Sequence, residues 1–206
     1  MDAVANALYE KGWCLVEDFL PADLTAALIA RAAHLQAQNL PIQAGIGRED
    51  QHRLNGLVRE AAIHWLGAAN PTEAVYLGVM DDLRRALNRR LFLGLFEFES
   101  HFAFYAPGGF YARHLDALKG ARNRMVSVVT YLNTDWRSED GGELVVWGPE
   151  EDAPEVARVL PKAGTAIVFL SEEIPHAVEA THRPRLALPG WFRVNASRAD
   201  RIDPPL

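Results

Sequence analysis

A chain of 206 residues with 49% hydrophobic composition can bury about 70% of the surface its unfolded form exposes, which suffices for one compact unit and does not demand two. Its single cysteine, Cys14, excludes an internal disulfide, the framework of small secreted folds, and also a zinc-finger or iron–sulfur centre. A net charge of −6, from 21 Lys and Arg against 27 Asp and Glu, gives no general attraction to a phosphate backbone and argues against nucleic acid as a partner.

No basic region followed by an apolar run opens the chain, and no stretch of about 18 apolar residues occurs, so a soluble cytoplasmic protein with no membrane partner is expected. Residues 3–11 read as a short helix, and GWCLVEDFL as an extended stretch leading into a turn. Pro21 is expected in the first turn of a second helix, ADLTAALIARAAHLQAQ, whose apolar positions recur at three- and four-residue spacing. The segment 39–53, NLPIQAGIGREDQHR, mixes Pro, Gly and charge without a period and reads as a mobile loop. Two further helices are expected over roughly 55–66 and 71–93, the second opening on Pro71, Thr72 and Glu73.

Past Gly94 the texture changes. FEFESHFAFYA, RMVSVVTYLN, GELVVW, TAIVFL, HAVEA and RLALPGWFRVN are short, rich in Val and aromatic residues, and separated by Gly, Pro, Asp and Asn. Many short strands at close spacing argue for a sandwich or barrel rather than a parallel α/β sheet. The expectation is a single domain over 1–206, mainly β with N-terminal helices: helical support over 1–94 and a β core over 95–197.

Within YARHLDAL, residues 111–118, His114 and Asp116 stand two apart. In an extended strand such side chains share a face, so an imidazole and a carboxylate converge. A third candidate, His176, follows the apolar strand AGTAIVFL. Two imidazoles and one carboxylate with other positions open form the arrangement of non-haem Fe(II) oxygenases. His34, His52, His64 and His182 read as structural or surface residues, and His101 as a candidate for the substrate side of a pocket. Arg185 stands nine residues beyond His176, across a Pro-containing turn, and would lie near it across the sheet. A buried guanidinium needs an anionic mate: either the far carboxylate of a bound dicarboxylic acid, with Tyr131 donating a second hydrogen bond, or a structural salt bridge.

The runs FYAPGGFYARHLDA, VVTYLNTDW, GGELVVW and HAVEATHRPRLALPGWFR together resemble the 2-oxoglutarate- and Fe(II)-dependent oxygenases, and within them the Egl-nine-type prolyl hydroxylases and their bacterial relatives. The resemblance covers residues 97–197 and extends upstream to LVREAAIHWL and GIGRED. It implies a double-stranded β-helix, a jelly-roll or cupin-like core, with His114, Asp116 and His176 as iron ligands. It further implies Arg185 and Tyr131 on 2-oxoglutarate, Tyr105 near metal and cosubstrate, and Trp191 lining the same cavity.

The implied activity is prolyl 4-hydroxylation: dioxygen and 2-oxoglutarate are consumed, succinate and CO2 are released, and a prolyl residue of a cytosolic protein is hydroxylated. Analogy makes that protein a translation factor or ribosomal protein, and ascorbate is a candidate reductant. A small molecule or free amino acid as substrate, or a non-catalytic cupin-like sensory module, are the alternatives. Two departures stand out: Arg59, Glu60, Ala61 where the family carries Arg-Gly-Asp, and Pro189 where many relatives carry Thr.

Overall fold

The computed structural model describes residues 1–43, 61–117, 123–150 and 152–195. Three helices precede or interleave the first strands: α1 (Asp2–Lys11), α2 (Ala22–Ala37) and α3 (Pro71–Leu91). Local chemistry sets their ends. After α1, Gly12 turns left-handed at φ 79° and its N–H closes on Leu8 O. Asn70 caps α3 by accepting the Thr72 and Glu73 N–H groups, with Pro71 in the first turn, where a missing donor costs nothing. Pro21 is the N-cap of α2 rather than a member of its first turn.

Eleven strands are described: β1 (Trp13–Val16), β2 (Ile42–Gln43), β3 (Ala62–Trp65), β4 (Leu95–Tyr105), β5 (Tyr111–His114), β6 (Arg124–Tyr131), β7 (Leu144–Trp147), β8 (Glu155–Val159), β9 (Ala166–Leu170), β10 (His176–Val178) and β11 (Arg185–Val194). They form a larger antiparallel sheet in the order β1-β9-β6-β11-β4-β3-β2 and a smaller one in the order β5-β10-β7-β8.

The period-2 alternation of the central strands feeds two apolar clusters at once. From β6, Val126 and Val128 turn towards the helices, where they meet Leu28 and Leu35 of α2 and Met80 and Leu83 of α3. Val129 and Tyr131 turn the other way and pack with Leu144, Val146 and Val178 of the smaller sheet. Strand β11 divides likewise, Leu188 and Phe192 outward and Ala187 inward. The sheets therefore face one another around a lumen, and the helices cover the outer face of the larger sheet, as expected for a jelly-roll core on helical support.

The expected helix at 55–66 is corrected: the part within the described residues is β3, hydrogen-bonded between β2 and β4. The Ala, Leu, Arg and Glu of the 55–66 window favour helix locally, and pairing with β2 and β4 overrides that preference for the residues of β3. Of the expected loop at 39–53, residues 42–43 form β2, and residues 44–53 lie outside the described residues. Strand β8 was not expected. Among the described residues no helix is long and apolar enough to cross a membrane.

Candidate functional site

The smaller sheet brings His114 and His176 together. They are directly opposed in the β5–β10 register, and their rings lie 4.3 Å apart. Strand β5 ends at His114, so Asp116 is not its same-strand neighbour, as the spacing suggested. Asp116 comes back to the imidazoles through a bend instead. Its Oδ1 lies 3.4 Å from His114 Nε2, and its Oδ2 lies 3.7 Å from His176 Nε2. One donor atom from each of the three falls within 4.8 Å of the others.

Each imidazole has its tautomer chosen for it. His114 Nδ1 lies 2.8 Å from Ala112 O, and His176 Nδ1 lies 3.1 Å from Ile174 O. A carbonyl only accepts, so Nδ1 carries the proton in both rings and the Nε2 lone pairs face the cluster. Tyr111 stacks on His114 with centroids 3.6 Å apart, and Phe169 packs on His176 at 4.5 Å, which fixes the ring planes.

Electrostatics favour a neutral imidazole and an ionised carboxylate. Burial pushes the His176 pKa down to about 4, against the upward pull of Asp116. Burial pushes the Asp116 carboxyl up, but the His176 and His114 imidazoles and the Ser127 hydroxyl outweigh it and hold the group well below the usual carboxylate range. These are the protonation states a metal ligand needs. His114 Nε2 is buried and makes no hydrogen bond. A divalent cation would satisfy that orphaned lone pair, and the mixed imidazole–carboxylate set suits Fe(II).

Across the lumen stands a second group of unsatisfied donors, on the larger sheet. Arg185, 2% exposed, opens β11 opposite Tyr105 of β4. It therefore does not share a sheet with His176, as the turn between them suggested. Its Nε donates to Gly142 O at 2.8 Å, while its Nη2 is buried without a partner. The guanidinium carbon lies 5.0 Å from the Tyr105 ring centre and 5.4 Å from that of Tyr131. Tyr131 is fully buried and its hydroxyl also has no partner. Burial raises the Tyr131 pKa, opposed by Arg185 and aided by Tyr105, so the hydroxyl remains a donor. Among the described residues no carboxylate pairs with Arg185, which leaves the structural salt bridge without support.

Trp191, six residues along β11 from Arg185, faces the same lumen opposite Ser127 of β6. Its Nε1 is buried without a partner, and the Arg124 guanidinium lies 3.7 Å over its ring. His101 sits between Trp65 and Trp191, at 4.8 and 5.6 Å, and is not part of the His114–Asp116–His176 cluster. His182 is exposed and His64 lies on β3.

Three contributors escaped the sequence reading. Ser127 donates to Asp116 Oδ2 at 2.6 Å, Ser171 bonds Ser127 at 2.8 Å, and Gly142 offers its carbonyl to Arg185. A hydroxyl inside the apolar run RMVSVV was the one available signal for Ser127. Gly142 reads as a turn residue and is one, at φ 68°, but a Cβ there would also lie 3.0 Å from Arg185 Cδ.

Residues 100–193 match the family described as the 2OG-Fe(II) oxygenase superfamily. The crystal structure of a Pseudomonas putida prolyl-4-hydroxylase is 42% identical, with a TM-score of 0.84 over 93% of this chain and 97% of that one. A Trichoplax adhaerens prolyl hydroxylase, solved with a hypoxia-inducible factor peptide fragment, shares the fold at 24% identity and a TM-score of 0.82, over 93% of this chain and 88% of that one. Human Egl nine homolog 1 is 27% identical over 93% of this chain and 46% of its own length. The chain thus spans about half the length of the curated relatives it matches. Fold, cluster and likeness over nearly the whole of a solved relative agree: the chain belongs to the 2OG-Fe(II) oxygenase superfamily.

Proposed function

We propose that this chain is an Fe(II)- and 2-oxoglutarate-dependent dioxygenase of the prolyl 4-hydroxylase type, acting on a prolyl residue of a cytosolic protein. One observation carries the reading: two buried donors with no partner, Arg185 Nη2 and Tyr131 OH, stand in the same lumen as a histidine–aspartate–histidine cluster. Buried donors are satisfied in nearly all proteins, and this pair matches one end of a dicarboxylic acid. A metal-binding module without turnover would have no use for it.

His114, Asp116 and His176 would hold Fe(II), and Arg185 with Tyr131 would hold the far carboxylate of 2-oxoglutarate. Together, when bound, the metal and the diacid supply the oxidising power that turns a C–H bond and dioxygen into an alcohol, with release of succinate and CO2. The chain's own contribution is orientation. Two Nδ1–H bonds to backbone carbonyls aim the imidazoles, Gly142 O aims the Arg185 guanidinium, and Tyr105, opposite Arg185, and Trp191, opposite Ser127, line the same lumen. No protein acid or base is required.

The prolyl assignment rests on likeness to the Pseudomonas prolyl-4-hydroxylase over almost its full length. A translation factor or ribosomal protein remains the target class that analogy suggests, and ascorbate the candidate reductant. The test loads the protein anaerobically with Fe(II) and 2-oxoglutarate, admits oxygen in the presence of candidate Pro-containing proteins, and reads succinate and the mass of each protein. The expected result is stimulated succinate release and the gain of one oxygen atom on a prolyl residue. Succinate release with no such gain on any candidate removes the prolyl assignment. In Arg185→Ala, 2-oxoglutarate binding measured by calorimetry should fall about 100-fold, since hydrogen bonds to charged groups contribute about 1.5–3 kcal/mol each.

A further inference from the structure

The Asp116 carboxylate is held from outside its own element. Ser127 Oγ, on the lumen face of β6, donates to Asp116 Oδ2 at 2.6 Å, and Ser171 Oγ lies 2.8 Å from Ser127 Oγ. A hydroxyl has one proton, and an ionised carboxylate only accepts. The Ser127 proton is therefore committed to Asp116, and Ser171 must donate to Ser127. Both serines are buried, 1% and 0% exposed, so water does not compete for either hydroxyl. Ser171 also accepts the Ala117 N–H on its backbone carbonyl, at 3.2 Å. The bend that carries Asp116 is thus fastened twice, at its side chain by Ser127 and at its backbone by Ser171.

This fastening treats the two carboxylate oxygens differently. Oδ2 is engaged by Ser127, whereas Oδ1 is the oxygen nearer His114 Nε2. We propose that the Ser171–Ser127 relay is a positioning device that keeps Asp116 a one-oxygen ligand, through Oδ1, so that a cation shared with His114 and His176 retains three open positions. The inference rests on the ligand assignment proposed above. With six positions around the metal and three taken by the chain, a chelating keto acid needs two and dioxygen one. A carboxylate gripping through both oxygens would occupy one of those three. The charge-assisted Ser127 bond opposes that rotation, since turning Oδ2 away from Ser127 towards the metal would leave the buried Ser127 proton without an acceptor.

The experiment uses the intact chain with Mn(II) and Co(II) as probes: Mn(II) affinity by electron paramagnetic resonance, the Co(II) visible spectrum, and thermal melting without metal. Asp116→Ala is the control for the ligand assignment. In Ser127→Ala, Mn(II) affinity is expected to fall by about 10-fold or more, the range in which partners of metal ligands act, and the Co(II) bands to shift. Ser171→Ala should move both in the same direction by less, and Ser127→Thr, which keeps the donor, should restore both.

A change in melting alone, with the Co(II) spectrum unaltered in Ser127→Ala, overturns the relay while Asp116→Ala still abolishes binding. If Asp116→Ala binds Mn(II) like the unmodified protein, the ligand assignment itself falls and takes the relay with it. Should Ser127→Ala fail to fold, Ser171→Ala decides, and an unchanged spectrum and affinity there overturn the proposal.

Discussion

Tyr131 buries a hydroxyl with no hydrogen-bond partner, a condition that costs about 1–3 kcal/mol. Tyr131→Phe is therefore expected to raise the melting temperature in the absence of ligand while lowering 2-oxoglutarate affinity roughly tenfold. Calorimetry beside thermal melting checks whether the two move in opposite directions. His176 gives a pH dependence with a definite sign. Its folded pKa of about 4 lies below its ordinary value of 6.5, so between the two the unfolded chain binds the proton more strongly. Stability of the metal-free protein is then complete above about pH 6.5 and declines as pH falls towards 4, by up to about 3 kcal/mol. Urea midpoints across that window should fall with pH, and His176→Asn should flatten the slope. The triad itself was legible in the sequence because His-x-Asp and a distant His are types with few other uses together. The reason they meet was not, since β5 stops at His114 and a serine 11 residues further on draws Asp116 in.

Strand β11 shows how closely an element can be constrained by its neighbours. It lies between β4 and β6, and a Cβ on Gly190 would lie 2.4 Å from Phe98 Cζ and 2.9 Å from Glu99 O. Gly190→Ala should cost about 1–3 kcal/mol, the usual range for overpacking, visible as a lower urea midpoint. Pro189, beside it, occupies a central strand where proline is rare, and Ser100 Oγ donates to its carbonyl at 2.9 Å. The three helices were readable because apolar residues recur at helical spacing over two or more turns. Strand β3 was not: the Leu, Arg, Glu and Ala that precede it favour helix, and its four residues are too few to signal a strand before β2 and β4 pair with them. Strand β8 was hidden because EVARV is a charged edge strand, with too little apolar alternation to signal itself. Arg185 could be picked out as a guanidinium awaiting an anion, but whether it joined the sheet of His176 or the opposite one depends on where the chain crosses, which no local pattern encodes.

For the molecule as a whole, the helices and the lumen are served by two apolar clusters that share the larger sheet, so stability and site are built on the same strands. A metal and diacid that bind only the folded form should stabilise it by about 2.7 kcal/mol at a hundredfold excess over the dissociation constant. In a chain of this size that corresponds to a rise of roughly 5–10 °C in melting temperature. Differential scanning calorimetry with Mn(II) and 2-oxoglutarate checks this, and a chelator should return the transition to its starting point. The triad belongs to the smaller sheet and its following bend, whereas Arg185, Tyr131 and Tyr105 belong to the larger. A diacid anchored at both ends would therefore be measured against the gap between two walls. The packing of those walls then acts as a ruler: a keto acid one methylene longer or shorter would be turned away by the spacing of the sheets, with no side chain dedicated to rejecting it.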